Sequence, residues 1–244
     1  MLLHPVLEQL RLLRLDGMLE ALQGQFKQQD IRQLEFEERL GLLVEHEISL
    51  RESKRLKRRL ATAKLKTQAC FEDISFKATR QLDKKVVFSL ESCQWIRQHN
   101  NILITGLTGT GKTFLAEALA HKACLKGFTA LSVRLPRFLE ELVQAKADGS
   151  YSKKLLALSK IDLLCLDDFA ICPFTDQNRR DLLEVLDDRY QKKSTIITSQ
   201  LDVKLWHAAI GDATLADAIL DRVIHNAYRL PLKGETMRKN ESIK

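Results

Sequence analysis

The stretch NILITGLTGTGKTFLAEALA, residues 101–120, constrains this chain more than any other. An apolar run ends at Thr105, a glycine-rich turn follows, and Lys112 and Thr113 open a segment with helical spacing. Gly106 to Thr113 fits G-x-x-x-x-G-K-[ST] in full, a pattern with a physical basis. Gly106, Gly109 and Gly111 permit backbone angles that turn N–H groups inward around phosphates. The helix that follows offers its positive end to an anion. Leu107, Thr108 and Thr110 complete the loop. Lys112 is spaced to reach the β- and γ-phosphates, and Thr113 to place its hydroxyl on Mg²⁺. Residues 106–113 are therefore expected to bind a nucleotide.

From about residue 100 strands and helices alternate. Strands are expected at 101–105, 129–134, 161–166, 194–199 and 228–232, with helices near 112–126, 136–147, 176–191 and 215–226. Five buried strands joined by helices imply an α/β fold with a parallel sheet covered on both faces.

A hydrolytic nucleotide site needs a second strand ending in acid, and IDLLCLDDF supplies it. Carboxylates at the end of a buried apolar strand are costly without a cation nearby. Asp167 is placed to hold Mg²⁺, and Asp168 to orient or deprotonate an attacking water. The bland alternative is a turn with two solvated aspartates. The strand STIITS ends where Ser199 or Gln200 can meet the γ-phosphate or the water; a helix cap by Ser199 or Asp202 is the other reading. Arg222 stands before the last strand, either as an arginine for a neighbouring subunit's γ-phosphate or as the partner of Asp217 or Asp221.

Residues 1–66 read as helical, and RESKRLKRRLATAKLK within them carries eight basic residues against one acid. Arg51, Lys54, Arg55, Lys57, Arg58 and Arg59 would repel one another without an anion to neutralise them. With the chain's net charge of +7, they are candidates for phosphate-backbone contact; a solvated helix face is the alternative. No aromatic residues interleave them, which favours duplex over single-strand binding. A weaker basic group follows at Lys77, Arg80, Lys84 and Lys85. No apolar run is long enough to span a membrane, and no secretory signal is legible. Cys70, Cys93, Cys124, Cys165 and Cys172 lack metal or disulfide spacing. The expectation is a cytoplasmic protein with residues 1–66 as a helical domain, 67–100 as a linker with a connecting helix, and 101–244 as the nucleotide domain.

The segments LRLDGMLEAL, FEERLGLLVEHE, SKRLKRRL, the phosphate loop, VRLPRFLEELVQAKADGSY, IDLLCLDDFA, STIITSQL and LADAILDRVIHNAYRLPLKGETMRK resemble IstB-like ATP-binding proteins. These are the AAA+ helpers of insertion-sequence transposition, related to the helicase loader DnaC. The resemblance implies a AAA+ P-loop core that binds ATP and Mg²⁺, forms homo-oligomers on duplex DNA, and engages a partner transposase. It implies Lys112 and Thr113 at the nucleotide, Asp167 and Asp168 as the acidic motif, and Arg222 as the arginine finger. It also places Arg134, Arg137, Lys146, Lys153 and Lys154 on a helical insertion that can face DNA. Two features depart from the wider class. The acidic motif ends Asp-Asp instead of Asp-Glu, implying slow or partner-dependent turnover. The short tail leaves no room for a C-terminal lid, with Arg238 a weak substitute for a lid arginine. A helicase loader acting on single strands is the competing function, and a non-hydrolysing scaffold a third.

Overall fold

The computed structural model describes residues 3–28, 30–67, 69–76, 81–234 and 236–237. Lys77, Arg80 and Arg238 lie outside the described residues. The chain forms two compact units, Met1–Arg58 and Arg59–Lys244, divided within one helix.

The first unit holds α1 (Leu3–Leu12), α2 (Asp16–Lys27) and most of α3 (Phe36–Ala63). Arg14, with φ of 55°, ends the first helical run that the apolar spacing left open. Polar ties replace an apolar core here: among its described residues only Gly17, Gln25 and Glu47 are buried. Glu47 Oε2 accepts from the amides of Gly17 (2.6 Å) and Met18 (3.1 Å), satisfying donors at the start of α2. Burial pushes the Glu47 carboxyl up, but the Met18 and Gly17 amides and the Arg51 guanidinium outweigh it and hold it below its ordinary value. A Cβ on Gly17 would stand 2.6 Å from Glu47 Cα, so this helix crossing needs glycine. Lys54 adds a 2.7 Å bond to Asp16.

The second unit is built on five parallel strands: β1 (Asn101–Thr105), β2 (Ala130–Arg134), β3 (Leu163–Phe169), β4 (Ser194–Ser199) and β5 (Ala227–Pro231). Their order is β2-β3-β4-β1-β5, so β4 lies between the strand leading to the phosphate loop and the strand bearing the acids. The five parallel strands are those expected from the sequence, except that the edge strands β2 and β5 are only partly buried. β1 and β4 are buried along their whole length, as a sheet covered on both faces requires.

The helices of this unit are α4 (Lys84–Leu90), α5 (Gln94–Arg97), α6 (Lys112–Leu125), α7 (Leu135–Ala147), α8 (Tyr151–Ser159), α9 (Asp176–Arg189), α10 (Trp206–Ile210) and α11 (Ala213–Ile224). Side chains end several of them: Thr175 caps α9 by accepting from Asn178 N, and Asp212 caps α11 by accepting from Leu215 N. Pro136 sits in the first turn of α7, where its missing N–H costs nothing. The sequence pattern had not singled out α8, whose buried residues are only Leu155 and Leu158.

β3 also differs from its expected span, starting at Leu163 and carrying both aspartates inside the strand. The Asp162 carboxylate is instead drawn to the Thr129 amide, 2.9 Å, and hydroxyl, 2.8 Å.

Gly17→Ala should loosen the first unit by about 1–3 kcal/mol, the usual cost of overpacking. Amide exchange reads this directly: α2 should lose protection while β1 and β4 keep theirs, and an unchanged α2 would contradict the close crossing.

Candidate nucleotide site

The phosphate loop leaves the buried end of β1 and runs into α6. Gly111 has φ of 85° and precedes the first helical residue, Lys112. Leu107's carbonyl organises the turn, accepting from Thr110 Oγ1 at 2.8 Å and from Lys112 Nζ at 2.9 Å. The chain after β5 returns to the loop. Leu232 N donates to Thr105 O at 2.7 Å, and Met237 N to Gly109 O at 2.9 Å. Gly109 has φ of +85°, and a Cβ there would meet Thr236 Oγ1 at 2.1 Å. This glycine therefore serves the approach of the tail as well as the turn.

The acids arrive across β4. Asp167 is 6% exposed, and its Oδ1 accepts from Thr113 Oγ1 at 2.9 Å and Thr198 Oγ1 at 2.5 Å. The phosphate-loop threonine and the β3 aspartate, 54 positions apart, thus share one hydrogen bond. Hydroxyl and carboxylate oxygens of this kind suit a hard cation such as Mg²⁺, which needs few protein ligands when phosphates supply the rest. Among the described residues, no group of three or more His, Cys, Asp and Glu is placed to hold a metal by itself.

Asp168 points elsewhere. Its φ is 63°, in the left-handed region that costs a non-glycine residue energy, and the β3–β4 register shifts between Leu166 and Phe169. The bend carries its carboxylate to Arg134 Nε at the end of β2, 2.7 Å away. The hydrogen bond to Asp168 raises the Arg134 guanidinium above its ordinary value.

Ser199 takes no part in this cluster through its side chain. It is fully buried, its hydroxyl donating to Phe169 O (2.9 Å) and accepting from Leu201 N (3.1 Å). Its carbonyl does meet the loop, accepting from Gly106 N at 3.1 Å. The β4 hydroxyl that joins the acids is that of Thr198, which also accepts from Asp168 N at 3.2 Å; sequence reading passed it over. Gln200 is exposed.

Arg222 lies at the other end of the sheet, where its carbonyl accepts from Asn101 Nδ2 at the start of β1, 3.2 Å. Its Nε pairs with Asp187 at 2.7 Å, rather than with Asp217 or Asp221. The five residues of β1 span about 16 Å at the usual strand rise, so Arg222 does not approach its own chain's loop.

The basic residues divide. Arg51 bonds Glu47 at 2.5 Å and Lys54 bonds Asp16, so both hold the first unit together. Arg59 donates to Cys124 O at 3.0 Å on α6. Arg55, Lys57 and Arg58 are exposed. On α7, Arg137 is 82% exposed and 3.8 Å from Glu141, while on α8 Lys153 is exposed. Lys154 bonds Glu141 at 2.9 Å, and Lys146 is paired with the buried Asp181. No described helix is long and apolar enough to cross a membrane.

Solved structures share the core. DnaI aligns over 68% of this chain and 92% of its own at a TM-score of 0.59 and 21% identity. The DnaC helicase loader aligns over 68% and 97% at 0.55 and 20% identity. These likenesses establish the AAA+ fold. Sequence relatives are nearer. A Sinorhizobium fredii protein named as an insertion sequence ATP-binding protein is 45% identical over 99% of this chain and 98% of its own. The Pseudomonas fluorescens ATP-binding protein of IS1162 is 47% identical over 82% of this chain and 87% of its own, and that of IS21 from Pseudomonas aeruginosa 31% over 99% and 90%. The family model described as IstB-like ATP binding protein matches residues 8–244, and with the phosphate loop and acidic strand in place, the chain belongs to that family.

Proposed function

We propose that this protein is an ATP-dependent regulator of transposition that assembles on target duplex DNA and recruits and activates a partner transposase. The observation that carries the nucleotide half is the 2.9 Å bond between Thr113 and Asp167, which unites the phosphate loop with the acidic strand. The insertion-sequence relatives support the transposition half.

In this reading the loop amides of residues 106–113 and the start of α6 bind the ATP phosphates, and Lys112 neutralises the β- and γ-oxygens. Thr113 and Asp167 would hold Mg²⁺. The bound ion supplies further charge neutralisation at the transferring phosphoryl group. Asp168 is the group that takes the proton of the attacking water. Its carboxylate is held by Arg134, and that hold restrains it until a partner draws the arginine away. Arg134 stands immediately before α7, on the insertion whose Arg137 and Lys153 are DNA candidates, so an anion bound there competes with Asp168 for the guanidinium. Arg222, too far from its own loop, serves a neighbouring subunit's γ-phosphate, and the site is completed by oligomerisation.

The helical N-terminal region contributes duplex contact through Arg55, Lys57 and Arg58. Arg51, Lys54 and Arg59 contribute charge while engaged in structural bonds, and Lys154 does the same on α8. ATP binding favours the assembled state, and hydrolysis releases it.

Sedimentation with ATP and Mg²⁺ tests the assembly. Duplex DNA should convert the protein to a large oligomer, and Arg55→Ala with Lys57→Ala should weaken this and flatten its salt dependence. Assembly on single strands only, or none until a helicase is added, would contradict the duplex reading in favour of a loader.

Arg134→Gln should raise DNA-independent ATP turnover roughly twofold to fivefold, an energy of the order of one surface ion pair, with nucleotide affinity unchanged. Turnover at or below the native level would show that Arg134 does not restrain Asp168.

A further inference from the structure

The acidic site has a partner from outside the sheet. Lys66, three residues beyond the end of α3, lies with its Nζ 3.6 Å from Asp167 Oδ2. The two oxygens of Asp167 are thereby divided: Oδ1 takes the hydroxyls of Thr113 and Thr198, and Oδ2 faces the Lys66 ammonium.

This placement is built into the fold. Glu117, one helical turn beyond Thr113 on α6, is fully buried. It accepts from Lys66 N at 3.1 Å, Thr67 N at 2.8 Å and Thr67 Oγ1 at 2.5 Å. A buried carboxylate is costly unless such donors satisfy it, so the main chain of residues 66–67 is fixed beside the helix that carries Thr113. Arg59 donating to Cys124 O and Glu72 pairing with Lys122 at 3.1 Å hold the flanking chain to α6. The Lys66 side chain itself is 49% exposed. Its backbone is anchored while its ammonium can exchange with water.

We infer that Lys66 is a positioning residue of the nucleotide site, whose ammonium competes with the nucleotide-borne divalent cation for Asp167. This inference rests on the assignment of Thr113 and Asp167 to Mg²⁺. A cation held by the Thr113 hydroxyl and Asp167 lies beside the ammonium, and two positive charges on one carboxylate repel. Entry of Mg²⁺ therefore releases Lys66 from Oδ2, while Glu117 retains its main chain. The lysine sets how much Mg²⁺ the site needs. Because only Lys64 and Leu65 separate α3 from this anchor, the exchange occurs where the chain leaves the long helix.

The test is a Mg²⁺ titration of fluorescent ATP-analogue binding to the full chain, with binding in EDTA as the control for an intact loop. Lys66→Met keeps the aliphatic stem and removes the charge; Lys66→Arg keeps the charge. Half-saturating Mg²⁺ should fall roughly twofold to fivefold in Lys66→Met, an effect scaled to a half-exposed pair, and should return toward the native value in Lys66→Arg. An unchanged or raised Mg²⁺ requirement in Lys66→Met overturns the competition. Loss of binding in EDTA by Lys66→Met alone overturns it as well, since it would make Lys66 a phosphate ligand. Failure of the native protein to bind nucleotide under any condition overturns the phosphate-loop assignment, and this inference with it.

Discussion

One buried carboxylate orders the site. Asp167 is reached by Thr113 from the phosphate-loop helix, by Thr198 from β4 and by Lys66 from the chain after α3. Each donor comes from a separate segment, and the sheet order, with β4 between β1 and β3, brings the first two together. Left without these partners the carboxylate would be costly at this depth. Placing the site across the carboxyl ends of parallel strands follows the general rule for open α/β sheets.

The neighbouring acid obeys a different constraint. Asp168 leaves the strand direction through a strained left-handed residue and reaches Arg134. Two adjacent aspartates thus have separate environments, one enclosed by hydroxyls and the other paired at the rim. In the proposed reading that separation lets one serve the cation and the other the water, and the Arg134 pairing ties the second to the start of α7.

Much of this was legible in the sequence for physical reasons. A glycine-rich turn between a buried strand and a helix has few alternatives, and the parallel sheet followed from apolar runs separated by helices. Pairings between distant segments were not legible. Thr198 and Ser199 are adjacent hydroxyls on one strand, and strand alternation sends them to different partners; the sequence offered Ser199, whereas Thr198 meets the acids. Lys66 resembled one more charge in a basic run. A signal was present in Glu117, an isolated acid in the otherwise apolar FLAEALA, whose burial demanded donors from elsewhere. Likewise the basic run does not reveal that Glu47 and Asp16 hold Arg51 and Lys54. The separation of Arg222 from its own loop was invisible before the strand directions were known.

The account stands on the phosphate loop holding ATP through Lys112, with Thr113 and Asp167 bearing the cation. Titration of a fluorescent ATP analogue with Mg²⁺ into the native protein and into Lys112→Ala tests this most directly. The account predicts saturable binding by the native protein and a loss of at least about tenfold in affinity, or about 1.4 kcal/mol, in the variant, with both proteins equally folded. Equal binding by the two would contradict it.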